Sequence, residues 1–272
     1  MVFSSIPFLF FFLPFCLILY YAVPYKANNP YVWKNVVLLL FSLIFYAWGE
    51  PVNIILMFFA TAVDYCNGRL MERFGSTKGR RRFFLICSVA INLSVLAFFK
   101  YADFLIATLN GLFSLSIKPL GLGLPVGISF FTFQTMSYSI DLYRKQVPME
   151  KSYLNYLTYV SMFPQLVAGP IVRYSVVNEE LRERLIKREE VEEGLLRFMQ
   201  GLFKKVLIAN QAGGLWEEIR QLEMGQASVA TAWLGAAAFT LQLYFDFSAY
   251  SDMAIGMGRM LGFHFPENFN YP

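Results

Sequence analysis

The sequence LQLYFDFSAYSDMAIGMGRMLGFHFPENFNYP, residues 241–272, closes a long apolar run and nevertheless carries two acids. The spacing predicts that Asp246 and Asp252 lie on one continuous helix. At helical spacing, Gln242, Asp246 and Tyr250 fall on one stripe of that helix. An acid at membrane depth costs about 2.5–3.5 kcal/mol on insertion scales, so by default it faces a protein interior or a water-filled cavity. We therefore expect these four polar side chains to line a tunnel inside the membrane.

The composition is typical of a membrane protein. Of the 272 residues, 57% are hydrophobic, 18% aromatic and only 15% charged, whereas soluble domains contain about 25% charged residues. Together with a mean hydropathy of +0.47, this predicts an all-α, polytopic transmembrane protein. The net charge of +4 is modest and basic residues lie in loops, which argues against nucleic acid as a partner. The N-terminal apolar run has no basic residues before it, so we expect a retained span and not a signal peptide.

Apolar runs with few charged residues predict a single membrane domain over residues 1–272. The approximate spans are 4–24, 33–49, 52–66, 83–101, 126–143 and 227–247, with a further segment at 153–172. A basic excess in the loop 67–82 places that loop in the cytoplasm and the N-terminus outside. Residues 195–210 are amphipathic and predict an interfacial helix in which Lys204 and Lys205 snorkel toward water.

The apolar segment 153–172 is broken by Pro164 and by Gly169-Pro170. Broken backbone at membrane depth is tolerated only where it is buried in protein or lines water. A full crossing would place the charged segment 173–193 outside the cell. We favour a re-entrant pair of half-helices, which leaves 173–193 as a cytoplasmic loop.

Other polar side chains are also predicted at membrane depth. Gln134 and Tyr138 share one face of the 126–143 span, and Gln165 and Arg173 lie in and beside the broken segment. The complete set of tunnel-lining candidates is Gln134, Tyr138, Gln165, Arg173, Gln242, Asp246, Tyr250 and Asp252.

Histidine and cysteine give no support to a metal site. The three cysteines, Cys16, Cys66 and Cys87, are far apart, with no CxxC and no Cys/His cluster, so we predict no metal and three buried thiols. The single histidine, His264, lies between two phenylalanines with no orienting partner beside it in sequence. We therefore interpret it as an interfacial packing residue and not as a catalytic base.

Several segments carry a resemblance to a known family. They are LPVGISFFTFQTMSYSIDLYR (124–144), FPQLVAGPIVRY (163–174), GLFKKVLIAN (201–210) and residues 241–272. In that order they resemble the membrane-bound O-acyltransferases, and most of all the bacterial alginate O-acetyltransferase branch. The resemblance extends over essentially the whole chain.

The resemblance implies a ring of transmembrane helices around a tunnel, with broken and horizontal helices on the cytoplasmic side. It implies acetyl-CoA as acyl donor, no bound cofactor, and a membrane-embedded catalytic histidine in Trp-His motifs beyond Pro272. We therefore expect an N-terminal fragment that has no catalytic residue of its own and is inactive alone. The implied location is the bacterial cytoplasmic (inner) membrane, with multiple passes. The implied partners are membrane lipid, extracytoplasmic acetyltransferase proteins and a polysaccharide acceptor such as alginate.

Two other classes of function stay open on the sequence. One is a transporter or flippase whose polar stripes line a substrate path, although no inverted repeat supports it. The other is a non-catalytic assembly subunit. Within the family, the acceptor could instead be peptidoglycan, cellulose or a teichoic-acid system that carries D-alanine.

Overall fold

The computed structural model describes residues 2–24, 29–166, 169–222 and 228–270, and over these residues it is helical with no strand. The α-helices are α1 (Leu13–Ala22), α2 (Pro30–Gly49), α3 (Ile54–Phe74), α4 (Lys78–Phe113), α5 (Ile128–Tyr143), α6 (Tyr153–Ser161), α7 (Phe163–Leu166), α8 (Tyr174–Arg182), α9 (Arg188–Phe203), α10 (Asn210–Arg220) and α11 (Val229–Leu261). Two π-helical segments, Phe8–Phe12 and Lys204–Ala209, run directly into α1 and α10.

Three of the helices described, α2, α3 and α4, are long and apolar enough to cross a membrane. The N-terminal helical stretch Phe8–Ala22 is apolar but shorter. These helices confirm the prediction of an all-α, polytopic membrane protein. Helix α11 has 33 residues and is long enough to cross, but it is not among the three, and Gln242 and Asp246 lie within it.

Helix boundaries differ from the predicted spans where charged residues continue a helix. Helix α3 ends at Phe74 and α4 begins at Lys78, so most of the predicted loop 67–82 is helical. Charged side chains limit how much of a helix can lie in hydrocarbon. They do not end the helix itself, because arginine and lysine are good helix formers. Helix α4 then continues for 36 residues, about 54 Å, which exceeds the hydrocarbon core of about 30 Å. The side of the membrane on which 67–82 and 173–193 lie stays a prediction.

Side-chain caps explain where several helices begin. Thr77, Ser152 and Ser228 each accept a hydrogen bond from the backbone N–H three residues later, which satisfies one of the free donors of the first turn. Helix α11 ends at Leu261 and is followed by Gly262, which has a φ of +81°. Phe263 N donates to the carbonyl of Gly258 and Gly262 N to that of Arg259, the pair of bonds that defines a Schellman cap.

The segment predicted to break does break. Helix α6 stops at Ser161, and the four-residue helix α7 follows after Met162, whose ψ of 111° is not helical. Phe163 N donates to Ser42 Oγ at 3.1 Å, so a side chain replaces the lost helical acceptor. Residues 167–168 of this segment, like residue 227 of the last predicted span, lie outside the described residues. Whether 153–172 re-enters or spans stays a prediction.

The chain divides into two compact units. The first contains the described residues 2–22, 169–172, 183–222 and 228–270, and thus α1 and α9 to α11. In it α9 and α11 pack closely because glycines face the partner backbone: a Cβ on Gly201 would lie 2.6 Å from the Ala249 carbonyl oxygen. Small residues allow such close helix contact in membrane proteins.

The second unit contains the described residues 23–24, 29–166 and 173–182, and thus α2 to α8. Its core is rich in tyrosine. Tyr138, Tyr156, Tyr159 and Tyr174 are fully buried, and their rings pack in succession with centroids 4.6–6.3 Å apart. A buried phenol needs a polar partner, so this core also contains the polar groups described next.

Candidate functional site

In the first unit, the two acids of α11 are ion-paired. Arg197 Nε donates to Asp252 Oδ1 at 2.7 Å, and Lys204 Nζ donates to Asp252 Oδ2 at 2.6 Å. Lys205 Nζ donates to Asp246 Oδ1 at 2.6 Å. Both lysines lie in the π-helical segment Lys204–Ala209. Distortions of this kind are frequent at functional sites. The prediction that Asp246 and Asp252 lie on one helix is confirmed, and each acid has its own cation.

This pairing gives the two lysines partners that the sequence did not predict. Both bind acids of α11, and whether they also snorkel toward water at the membrane surface stays a prediction. The sequence could not pair them with these acids, because the acids follow more than forty residues later and only packing of the two helices brings the charges together.

The other polar residues of the α11 stripe have different surroundings. Gln242 is half-buried, and its Oε1 is inaccessible and has no hydrogen-bond partner among the described residues. Tyr250 is buried, and its ring stacks on that of Phe3 at a centroid distance of 4.2 Å. That this stripe lines a tunnel stays a prediction.

In the second unit, α5 and α7 direct two glutamines at one carbonyl. Gln134 Nε2 and Gln165 Nε2 both donate to the backbone oxygen of Tyr159, at 3.4 and 2.5 Å. The second amide oxygen, Gln165 Oε1, is buried without a hydrogen-bond partner in the described part of the chain. The structure therefore brings Gln134 and Gln165 together, whereas Arg173 lies exposed before α8.

Tyr138, in the tyrosine core, lies next to Glu150, an acid that sequence reasoning missed. Tyr138 Oη accepts a hydrogen bond from the backbone N–H of Glu150 at 3.1 Å. The Glu150 carboxylate accepts from Tyr174 Oη at 2.5 Å and from Arg182 at 3.3 Å. Burial, and then the negative charge of Glu150, raise the pKa of Tyr174 well above its usual value. Glu150 lies in a short connection between helices, where no periodic pattern marks a residue as buried.

A second missed acid is Asp64, which is completely buried in α3. Ser88 Oγ and Ser139 Oγ donate to its Oδ1, the latter at 3.3 Å, and Asn92 Nδ2 donates to its Oδ2 at 2.9 Å. The signal was present in the sequence, because an acid within a predicted span is by default a candidate functional residue.

His264 and the cysteines lie apart from these groups. His264 is exposed, and its Nε2 lies 3.9 Å from Glu190 Oε1, beyond hydrogen-bonding distance. The phenylalanines on either side of it are buried. Cys16 is buried as expected, but Cys66 is exposed and Cys87 half-buried. The prediction of three buried thiols was therefore wrong for Cys66, because that residue lies on an outward face of α3.

Comparisons with known proteins agree with the resemblance. Residues 93–272 match the model of the MBOAT, membrane-bound O-acyltransferase, family. The whole chain is 41% identical to the probable alginate O-acetylase AlgI of Pseudomonas aeruginosa, of which it covers 52%. It is 31% identical to the peptidoglycan O-acetyltransferase of Helicobacter pylori, covering 56% of it. Over 76% of its length it is 26% identical to the teichoic acid D-alanyltransferase of Lacticaseibacillus rhamnosus, covering 50% of that protein.

The chain thus spans about half the length of the curated relatives it matches. The family match covers most of α4 and all helices after it, including the polar groups on α5, α7 and α11. The chain therefore belongs to the membrane-bound O-acyltransferase family.

Proposed function

We propose that this chain forms part of the membrane domain of an enzyme that transfers acetyl groups to an extracytoplasmic polysaccharide, with alginate as the preferred acceptor. The observation that carries the proposal is the 41% identity to an alginate O-acetylase over the whole chain. Identity to the peptidoglycan and D-alanyl enzymes is lower, at 31% and 26%. Acetyl-CoA is the proposed donor, and it would reach the enzyme from the cytoplasm.

In this proposal, the chain's own contribution is to form the wall of a tunnel. Gln165 Oε1 and the Tyr156 hydroxyl are buried polar atoms without a hydrogen-bond partner in the described part of the second unit. Buried polar atoms are nearly always satisfied, and exceptions often mark a place for water or ligand. Gln134 and Tyr138 are held beside them, and Gln242 offers a similar free oxygen in the first unit.

The proposed location is the bacterial cytoplasmic membrane, which the chain crosses several times. Helices α2 to α4 supply lipid-facing surface, since many of their large apolar side chains are exposed. An acceptor polysaccharide lies outside this membrane, so we infer that extracytoplasmic acetyltransferase proteins receive the acyl group.

A gene deletion tests the proposed function. Deletion of the full-length gene should abolish ester-linked acetate in the exopolysaccharide, measured as acetate released by mild alkali, and complementation should restore it. Peptidoglycan acetate and teichoic-acid D-alanine serve as parallel measurements and should not change. Loss of either of those groups, with exopolysaccharide acetate intact, would refute alginate-type acetylation.

Two variants of the full-length protein test the tunnel wall. Replacing Gln165 by Leu removes both polar atoms of this side chain from the buried cluster. We expect the rate of acetyl transfer to fall by about tenfold or more, because one well-placed polar group can contribute at least this factor to a rate. Gln200→Leu on the exposed face of α9 is the matched control and should leave transfer unchanged. Equal activity of both variants at equal membrane abundance would contradict a role for Gln165.

A third test concerns residues 1–272 alone. Because the resemblance places the catalytic histidine beyond Pro272, purified residues 1–272 should not transfer acetyl groups from acetyl-CoA. Transfer above the level of a protein-free control would show that the reactive residues lie within this chain.

A further inference from the structure

The carboxyl group of Asp64 lies in the interior of the second unit, where α3, α4 and α5 meet. The groups around it come from the two neighbouring helices: Ser88 and Asn92 on α4, and Thr135 and Ser139 on α5. All are buried, and Asp64 itself has no accessible surface. Since α3 and α4 both have the length and composition of membrane-crossing helices, the site is enclosed by protein within lipid.

Every group that contacts this carboxyl is neutral. Among the described residues, the interactions of Asp64 are with hydroxyls and one amide, and none is with lysine, arginine or histidine. A lone ionised carboxylate in such surroundings is strongly disfavoured, and the group normally becomes neutral instead. Asp252 in the first unit shows the contrast, because two cations balance its charge.

The hydrogen-bond geometry has a place for one more hydrogen than the neighbouring side chains possess. Ser88 Oγ, Ser139 Oγ and Asp64 Oδ1 form a triangle in which every pair is in hydrogen-bond contact, with the two serines 2.9 Å apart. With one hydrogen in each contact the triangle holds three hydrogens, and the two hydroxyls supply two. Thr135 is not part of this triangle, and its hydroxyl donates to the carbonyl of Thr132 at 3.1 Å.

We propose that Asp64 is a proton-binding site, in which the side chain is a neutral carboxylic acid. A proton transferred from hydronium forms an O–H bond at Oδ1, and the O–H bond that breaks leaves a water molecule. In this protonated state the contact with Ser88 reverses: the acid donates to Ser88, Ser88 donates to Ser139, and Ser139 donates to Oδ1. The ring is closed with each oxygen giving one hydrogen and receiving one.

Tyr156 is a further neutral group near the site. Its side chain is fully buried, and its hydroxyl has no hydrogen-bond partner among the described residues. It lies within electrostatic reach of Asp64. A neutral phenol at this distance adds no positive charge to balance an ionised Asp64.

Infrared spectroscopy of the full-length protein in lipid tests the proposal. A protonated carboxyl has a carbonyl stretch that is distinct from the carboxylate bands. We expect this band at neutral pH in the wild type and its loss in Asp64→Asn, which keeps the shape and neutrality of the acid. Asp246→Asn is the control and should retain the band. Absence of the band from the wild type, or its persistence in Asp64→Asn, would overturn the proposal.

Two further measurements keep the test decisive if Asp64→Asn folds poorly. Ser139→Ala keeps the carboxyl but opens the ring, so it must shift the frequency of the band, and an unshifted band would contradict the hydrogen-bond ring.

The alternative occupant of the site is a sodium ion. Thermal stability that rises with sodium chloride but not with choline chloride, in a wild type that lacks the carbonyl band, would show a metal-ion site and refute a proton site.

Discussion

Asp252 is held by two cations, and removing both should cost much more than the sum of removing each. The variants are Arg197→Met, Lys204→Met and the double variant, since methionine keeps the apolar part of each side chain. The Asp252 side chain is 5% exposed, whereas Arg197 and Lys204 are 31% and 37% exposed. Asp252 is therefore the member of this network that has lost most of its contact with water. The stability cost of each substitution depends on whether Asp252 still has a counter-ion.

Each single variant leaves the acid with one cation at 2.6 or 2.7 Å. The partly exposed cation that is removed should contribute about as much as a surface pair, at most about 1 kcal/mol. Arg197→Met also ends the contact with Glu267, which is itself largely exposed and adds little. The double variant instead leaves a buried carboxylate without a counter-ion, which costs about 3–5 kcal/mol. The coupling between the two substitutions is then about 1–3 kcal/mol.

Thermal unfolding of the protein in detergent, followed by tryptophan fluorescence, measures this difference. At about 2–4 °C per kcal/mol, each single variant should lower the midpoint by up to about 4 °C and the double variant by considerably more. A third substitution, Asp252→Asn, should restore most of the loss in the double variant, because no buried charge remains. Additivity within about 0.5 kcal/mol, or no recovery with Asp252→Asn, would refute the assignment of Asp252 as a buried acid that depends on its cations.

Further predictions concern helix contact and the Glu150 cluster. Gly201→Ala should destabilise the protein by about 1–3 kcal/mol, because a Cβ there meets the Ala249 carbonyl oxygen at 2.6 Å. Gly214→Ala should instead stabilise α10 by up to about 1 kcal/mol, because a Cβ at that position has nothing within 4 Å. The same unfolding assay measures both effects. Tyr174→Phe should cost about 1.5–3 kcal/mol, since it removes the 2.5 Å hydrogen bond to buried Glu150. Because burial and Glu150 raise the pKa of Tyr174 in the folded state, its contribution to stability is present below the usual tyrosine pKa of about 10 and lost as pH rises above it. The unfolding midpoint of the wild type should therefore fall above about pH 10 more steeply than that of Tyr174→Phe.

Sequence reasoning succeeded where the information is local. The continuity of α11 follows from helical spacing across Gln242, Asp246 and Asp252, and the break near Pro164 follows from the missing N–H of proline. The all-α membrane class follows from composition. None of these conclusions requires knowing which residues meet in space.

The partners of the buried acids could not be predicted, because they depend on packing. Asp252 finds Arg197 and Lys204 only when α9 lies against α11, and the π-helical segment that carries Lys204 has no sequence signature of its own. Ser88 and Ser139 look like ordinary polar residues of two separate spans. Their contacts are visible only when Asp64, which sequence reasoning missed, is placed between them.

The partners found for these acids change which observations support the prediction of a tunnel. Acids at membrane depth first suggested a water-filled passage, on the ground that an unpaired charge needs water. Asp246 and Asp252 have cations, and the structure gives Asp64 a complete set of neutral partners. Such acids are stable in a solid protein interior, so their presence does not require a passage. The case for a tunnel in the second unit depends instead on buried side-chain oxygens that have no hydrogen-bond partner among the described residues, namely those of Gln165, Tyr156, Ser161 and Asp141, because such atoms still need water or substrate.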